Sequence, residues 1–207
     1  MRKRIIIAFL TACLAFSWAF LTADEVVIGS GNQMARIPLD FFYHNSLFEC
    51  LYYQNELGFA QGTISRIAFY NNFVTQLSNK PTKIWLGTTT LTSLTAGWIP
   101  SSELTLVFDG EVNYPSGIHI INIELDSLFN YTGDTLVMMV QRPMESGYFS
   151  SSDKFYSQTD TITRARNAYH DTQVLDPANP PASGFVLNGQ YPKIKITYTA
   201  QGIANDL

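Results

Sequence analysis

His44, His119 and His170 are the imidazoles of this chain, and no two of them stand at the four-residue helical spacing that holds a metal ion on one face. Carboxylates are more numerous. Asp40, Glu49, Glu56, Asp109, Glu111, Glu124 and Asp153 would each serve in a glycosidase pair, which needs two acids close in space and not in sequence; no spacing favours any two of them. The sequence has no Gly-x-Ser-x-Gly elbow, no phosphate-cradling glycine loop and no dinucleotide fingerprint. Catalysis is therefore not expected. Aromatic rings beside polar turns offer a different chemistry, a planar stacking surface with a hydrogen-bonding tip that suits sugar rings. Trp98 next to Pro100, Tyr114 in Asn113-Tyr114-Pro115, Tyr148 and Phe149 in Ser146-Gly147-Tyr148-Phe149-Ser150, and Tyr169 before His170 and Asp171 are the candidate ligand-binding rings. Asp171, Asp176 and Asn179 are oxygen donors that a calcium ion would accept, although their spacing matches no regular calcium loop. No other cofactor is suggested.

The elements that must position these groups are strands. Runs rich in Val, Ile, Thr, Tyr and Phe recur between Gly, Pro, Asn and Asp clusters, at Glu25–Ile28, Ile37–Tyr43, Leu47–Tyr53, Thr63–Asn71, Thr82–Thr88, Thr105–Val112, Gly117–Leu125, Thr135–Gln141, Phe155–Gln158, Ala165–His170 and Ile194–Thr199. Alternation puts Cys50 on one face with Phe48 and Tyr52, and sends Ile84 and Leu86 to the face opposite Trp85. Apolar positions slip phase between Ile64 and Ile67 and again between Ile120 and Ile121, each slip predicting a bulge. Pro100–Leu104 is the one helical hint, a single turn. About ten short strands with no helix for a crossover predict an all-β, antiparallel sandwich of two sheets, jelly-roll-like.

The N-terminus reads as an address. Arg2, Lys3 and Arg4 precede an apolar run from Ile5 to Phe20 and a small-residue exit at Ala23, the pattern of a secretory signal peptide over residues 1–23. Leu10-Thr11-Ala12-Cys13 also fits a lipobox, but Leu14 to Phe20 stays apolar where a lipoprotein turns polar, so cleavage near Asp24 is the expectation. The run is too short for a membrane span. Past the cleavage point the sequence reads as one β-sandwich domain over 24–200 and a tail over 201–207. Cleavage removes three basic side chains and no acid, leaving ten basic against seventeen acidic side chains, a charge of −7. Nucleic acid and anionic membrane surfaces are disfavoured partners for so acidic a chain. Cys50 would then be the remaining cysteine, so stability must come from packing.

Several motifs in this order have a familiar look: Gly62-Thr63-Ile64-Ser65-Arg66-Ile67-Ala68-Phe69, Lys83-Ile84-Trp85-Leu86-Gly87-Thr88, Gly97-Trp98-Ile99-Pro100, Phe129-Asn130-Tyr131-Thr132-Gly133-Asp134 and Tyr191-Pro192-Lys193-Ile194. Together they resemble a jelly-roll module of large secreted and surface proteins of some Gram-negative bacteria, found beside fibronectin type III domains, proteases or a C-terminal sorting domain. The family has no agreed biochemical role. The resemblance implies an adhesin-like, secreted or cell-surface module that binds a glycan or another secreted protein. The alternative is a structural accessory domain of a secreted protease or glycoside hydrolase assembly.

Overall fold

The computed structural model describes residues 23–182, 185–187 and 189–201; the apolar N-terminal run falls outside them. The described chain forms β1 (Asp24–Ile28), β2 (Gln33–Ala35), β3 (Asn45–Tyr52), the short helix α1 (Gln54–Leu57), β4 (Gly62–Phe73), β5 (Leu77–Thr89), a 3-10 turn (Ser101–Glu103), β6 (Thr105–Tyr114), β7 (Gly117–Tyr131), β8 (Thr135–Arg142), β9 (Lys154–Thr159), β10 (Ala165–His170), β11 (Phe185–Leu187), β12 (Gln190–Pro192) and β13 (Ile194–Ala200). Three-residue strands β2, β11 and β12 are too short to show alternation in the sequence. Ile37–Tyr43 is not a strand. Pro38 offers no N–H to a ladder, and the Asp40 carboxylate accepts the Phe42 N–H at 3.0 Å, an Asx turn that bends the chain.

All the pairings are antiparallel. One sheet contains the order β1-β13-β4-β7 and the other β3-β8-β5-β6, which together are the eight-strand, double Greek-key connectivity of a jelly roll. The remaining strands are additions. β10 and β11 extend the second sheet beyond β3, while β9, β12 and β2 extend the first from the far end of β4. The expected bulge in β4 is present, as a register shift against β7 between Ile64 and Arg66. The second is not where the sequence placed it: Ile120 and Ile121 pair in step with Tyr70 and Phe69. Ile118 and Ile120 simply face solvent while Ile121, Ile123 and Leu125 face in.

Between the sheets lies one continuous core that includes Ile67, Phe69, Ile84, Leu86, Met138, Val140, Ile194 and Ile196. At one end Phe41, Phe73, Tyr114 and Phe155 pack ring on ring, with centroids 5.0 to 6.0 Å apart. The second sheet is buried on its outer face as well. Leu47, Trp85, Met139, Ala168 and Leu175 form one cluster there, and Leu51, Leu94, Ile99 and Val137 another. Every residue of β3 and β8 is consequently buried, which accounts for their lack of polar alternation. The cover is the chain's own segment 90–104, with 171–182 beside it; Ser101 N donates to the Pro177 carbonyl at 2.8 Å. Gly87 permits the close fit, because a Cβ there would stand 2.4 Å from Leu104 Cδ2.

Candidate ligand-binding site

Three loops meet at one corner of the sandwich, and two buried polar side chains tie them. Arg142, at the end of β8, is fully buried. Its guanidinium donates to the carbonyls of Asp40 (3.3 Å), Tyr43 and Gly147 (3.2 Å) and to the Glu145 carboxylate (3.0 and 3.1 Å). Burial pulls it down from its ordinary range, and the Glu145 and Asp40 carboxylates oppose that. One side chain thus fixes loop 36–44 against loop 143–149. Asn45 does the same for the third loop. Its amide donates to the carbonyls of His170 (2.6 Å) and Gln173 (3.0 Å) and its oxygen accepts the Leu175 N–H at 2.9 Å.

On this frame sits a group of rings. Tyr43 and Tyr169 are stacked, centroids 3.9 Å apart and planes 18° from parallel. Phe42 meets Tyr43 edge-on at 5.2 Å, and the Arg36 guanidinium lies 5.0 Å and 5.5 Å from their centroids. Arg36 is held by Asp40 at 3.4 Å, whose carboxyl burial pushes up against the pull of that cation. Burial also raises the Tyr169 phenol, and its hydrogen bond with Tyr43 adds to the effect. Tyr148, 61% exposed, lies over the His44 ring at 4.0 Å.

Hydrogen bonds fix both imidazole tautomers. His44 Nδ1 donates to the Asp171 carbonyl at 2.8 Å, leaving Nε2 as a buried acceptor without a partner among the described residues. His170 is the reverse case: its Nδ1 accepts the N–H groups of Thr172 (3.0 Å) and Gln173 (2.8 Å), so Nε2 carries the proton and is a donor. Tyr43, Tyr169, His170, Asp171 and Thr172 line an open hollow of about 360 Å³. Asp171 Oδ1 is engaged by His44 N at 3.2 Å. The hollow therefore presents a ring surface, an imidazole donor, a carboxylate and a hydroxyl, which is a set for a flat polyhydroxylated ligand.

No family model and no curated protein matches this chain. A solved structure of the cysteine protease and lectin-like domains of Cwp84, a surface layer associated protein of Clostridium difficile, is similar at a TM-score of 0.41 and 8% identity. The similarity covers 76% of this chain and 32% of that one. At that level it indicates neither ligand nor activity.

Of the rings proposed from the sequence, Tyr148 and Tyr169 come together here. Phe149 is a neighbour with a different task, packed edge-to-face with Phe41 at 6.4 Å and with the Lys80 ammonium over its ring at 4.4 Å. Tyr114 is excluded from any surface site. It is 0% exposed, its hydroxyl bonded to Thr82 Oγ1 at 3.0 Å, because the strand runs on past Val112 and carries the ring to the inward face. Trp98 is not part of this corner; it covers the outer face of the second sheet, its indole N–H on the Pro181 carbonyl at 3.0 Å. Of the three calcium donors, Asp176 and Asn179 are spent on each other. Both Asp176 oxygens are used within their own turn, by Ala178 N (2.9 Å) and the Asn179 amide (2.7 Å), which hold its carboxyl below the usual range. Among the described residues no three His, Cys, Asp or Glu side chains gather as a metal site, and no helix is long and apolar enough to cross a membrane.

Most of the acids considered as a glycosidase pair have another partner. Glu56 pairs with Arg164 (2.8 Å), Asp109 with Lys83 (2.8 Å) and Glu124 with Arg66 (2.5 Å). Asp153 accepts the N–H groups of Val74 and Thr75, and Glu49 accepts that of Ile99 at 3.0 Å. Glu111 faces solvent on an edge strand without an ion pair among the described residues. Sequence reasoning missed Arg36, Phe42, Tyr43 and His44 as parts of the site. The available signal was Asp40 two residues ahead of Phe42, the spacing of an Asx turn that would have replaced the expected strand by a ring-bearing loop.

Proposed function

We propose that this chain is a non-catalytic binding module of the cell exterior that holds carbohydrate on the Tyr43–Tyr169 shelf. The observation that carries the reading is the hollow itself, where stacked tyrosines adjoin the His170 N–H, the Asp171 carboxylate and the Thr172 hydroxyl. A pyranose lays its C–H face on a ring and its hydroxyls on such groups. Anchorage by Arg142 and Asn45 sets the loops in advance, so little ordering cost falls on binding. The basic start, apolar run and small exit at residues 1–23 support export.

Pull-down on cellulose, chitin, xylan and mannan tests the reading. The purified chain is expected on at least one polysaccharide, with Tyr43→Ala and Tyr169→Ala reducing retention about tenfold or more. Trp98→Ala should leave retention unchanged, since that indole belongs to the packed cover. Failure on every polysaccharide, or retention indifferent to both tyrosines, would refute carbohydrate capture at this corner and leave the accessory-domain reading in its place.

A further inference from the structure

The opposite edge of the second sheet has its own character. β6 pairs only with β5, and β7 only with β4, so both sheets end on this side in strands whose outer edges have no strand partner among the described residues. Edge strands are ordinarily blunted by lysine or proline. β6 and β7 contain no Lys, Arg or Pro. They carry exposed apolar side chains instead, Ile118 at 68%, Ile120 at 47% and Leu106 at 42%, and a groove of about 550 Å³ runs between them, lined by Phe108, Glu111, Val112, Ile120, Ile123 and Glu124 among others. The β7 residues lining the groove, 119–124, are consecutive, so the backbone of that strand borders the space along with side chains of both faces.

The charged side chains of β6 and β7 themselves are acidic, Asp109, Glu111, Glu124 and Asp126. Arg66 and Lys83 of the neighbouring strands pair with Glu124 and Asp109, while Glu111 and Asp126, the latter accepting the Asp109 N–H at 2.9 Å, have no ion pair among the described residues. We propose that the β6–β7 groove is a docking surface for an extended, cationic segment of another protein, which adds as a strand along β7 residues 118–124. Main-chain hydrogen bonds to the open edge supply affinity, Ile118 and Ile120 receive apolar side chains of the incoming strand, and Glu111 with its neighbours selects Lys or Arg between them. A second copy of this chain is the poorer occupant, because edge-to-edge pairing would set these carboxylates against their own kind.

The probe is a fluorescein-labelled seven-residue peptide alternating Lys and Val, with a Glu and Val peptide as control, titrated into the full chain. Saturable, salt-sensitive binding of the basic peptide is expected, with slowed amide exchange confined to residues 118–124. Glu111→Lys with Ile120→Lys, both exposed positions, should weaken it about tenfold. Absence of saturation at millimolar peptide, equal binding of the acidic control, or indifference to the double substitution would overturn the proposal. So would a concentration-dependent dimer in sedimentation that Ile120→Lys disperses, since the edge would then belong to a second copy.

Discussion

Arg142 shows how much of a site can hang on one side chain that touches no ligand. It holds carbonyls of two loops, and its removal leaves those buried oxygens without their donor and Glu145 with Lys80 as its remaining cation. Breaking such a buried charge cluster costs about 3 to 5 kcal/mol, so Arg142→Ala should lower the denaturation midpoint strongly. Arg142→Lys should recover only part, because an ammonium cannot span the planar fork of contacts. Glu49 makes the opposite kind of prediction. Buried beneath segment 90–104, its carboxyl is pushed up to about 8 by desolvation, against the Ile99 N–H and the Arg166 guanidinium that pull it down. Native Glu49 therefore keeps its proton where the unfolded chain has lost it. From the ordinary carboxylate range near pH 4.5 up to about 8, stability must fall as pH rises, and the penalty is complete above that window. Glu49→Gln should accordingly be more stable than wild type at pH 8 to 9 and equal to it near pH 4, by thermal melts at both ends. A wild-type excess at high pH would mean that the ionised carboxylate is favoured there.

At the scale of elements, the cover over the second sheet is the least ordinary feature, and Gly87 reports on it. A methyl group at that position meets Leu104 Cδ2, the end of a half-buried side chain that can turn aside, so the overpacking costs about 1 kcal/mol, the low end of its usual range. Gly87→Ala should destabilise the chain by that order, and the same change in a Leu104→Ala background should cost much less; equal penalties in both would place the strain elsewhere. Alternation made the strands legible: Cys50 shares the core with Phe48 and Tyr52, and Trp85 faces away from Ile84 and Leu86. It did not reveal the outer cover of the second sheet: β3 and β8 were expected as strands and are strands, but apolar residues at both parities leave no polar face to read. Ending the expected strand at Val112 misplaced Tyr114, which lies two residues further along β6 and shares the inward face of Val112. The site was half legible. Rings beside turns pointed to Tyr148 and Tyr169, which lie at the candidate corner, but the contacts that gather Tyr43, His44 and Arg142 join residues 99 to 127 positions apart, and no local pattern encodes them.

For the molecule as a whole, the jelly-roll connectivity places two unlike surfaces at opposite ends of one sheet. At the β3–β10 side, loops are pinned around a ring-lined hollow; at the β6–β7 side, two strands bearing only acidic charges have outer edges without a strand partner among the described residues. Such a layout would let a module hold a glycan and a partner protein together. The hollow is the central claim, and a heteronuclear NMR titration with soluble oligosaccharide from the retained polysaccharide tests it most directly. Fast-exchange shifts are predicted at Tyr43, Tyr169, His170, Asp171 and Thr172, with the His170 Nε2–H moving most among the side-chain signals and β6–β7 unmoved. Shifts centred on any other surface, or a spectrum unchanged at saturating sugar, would contradict it.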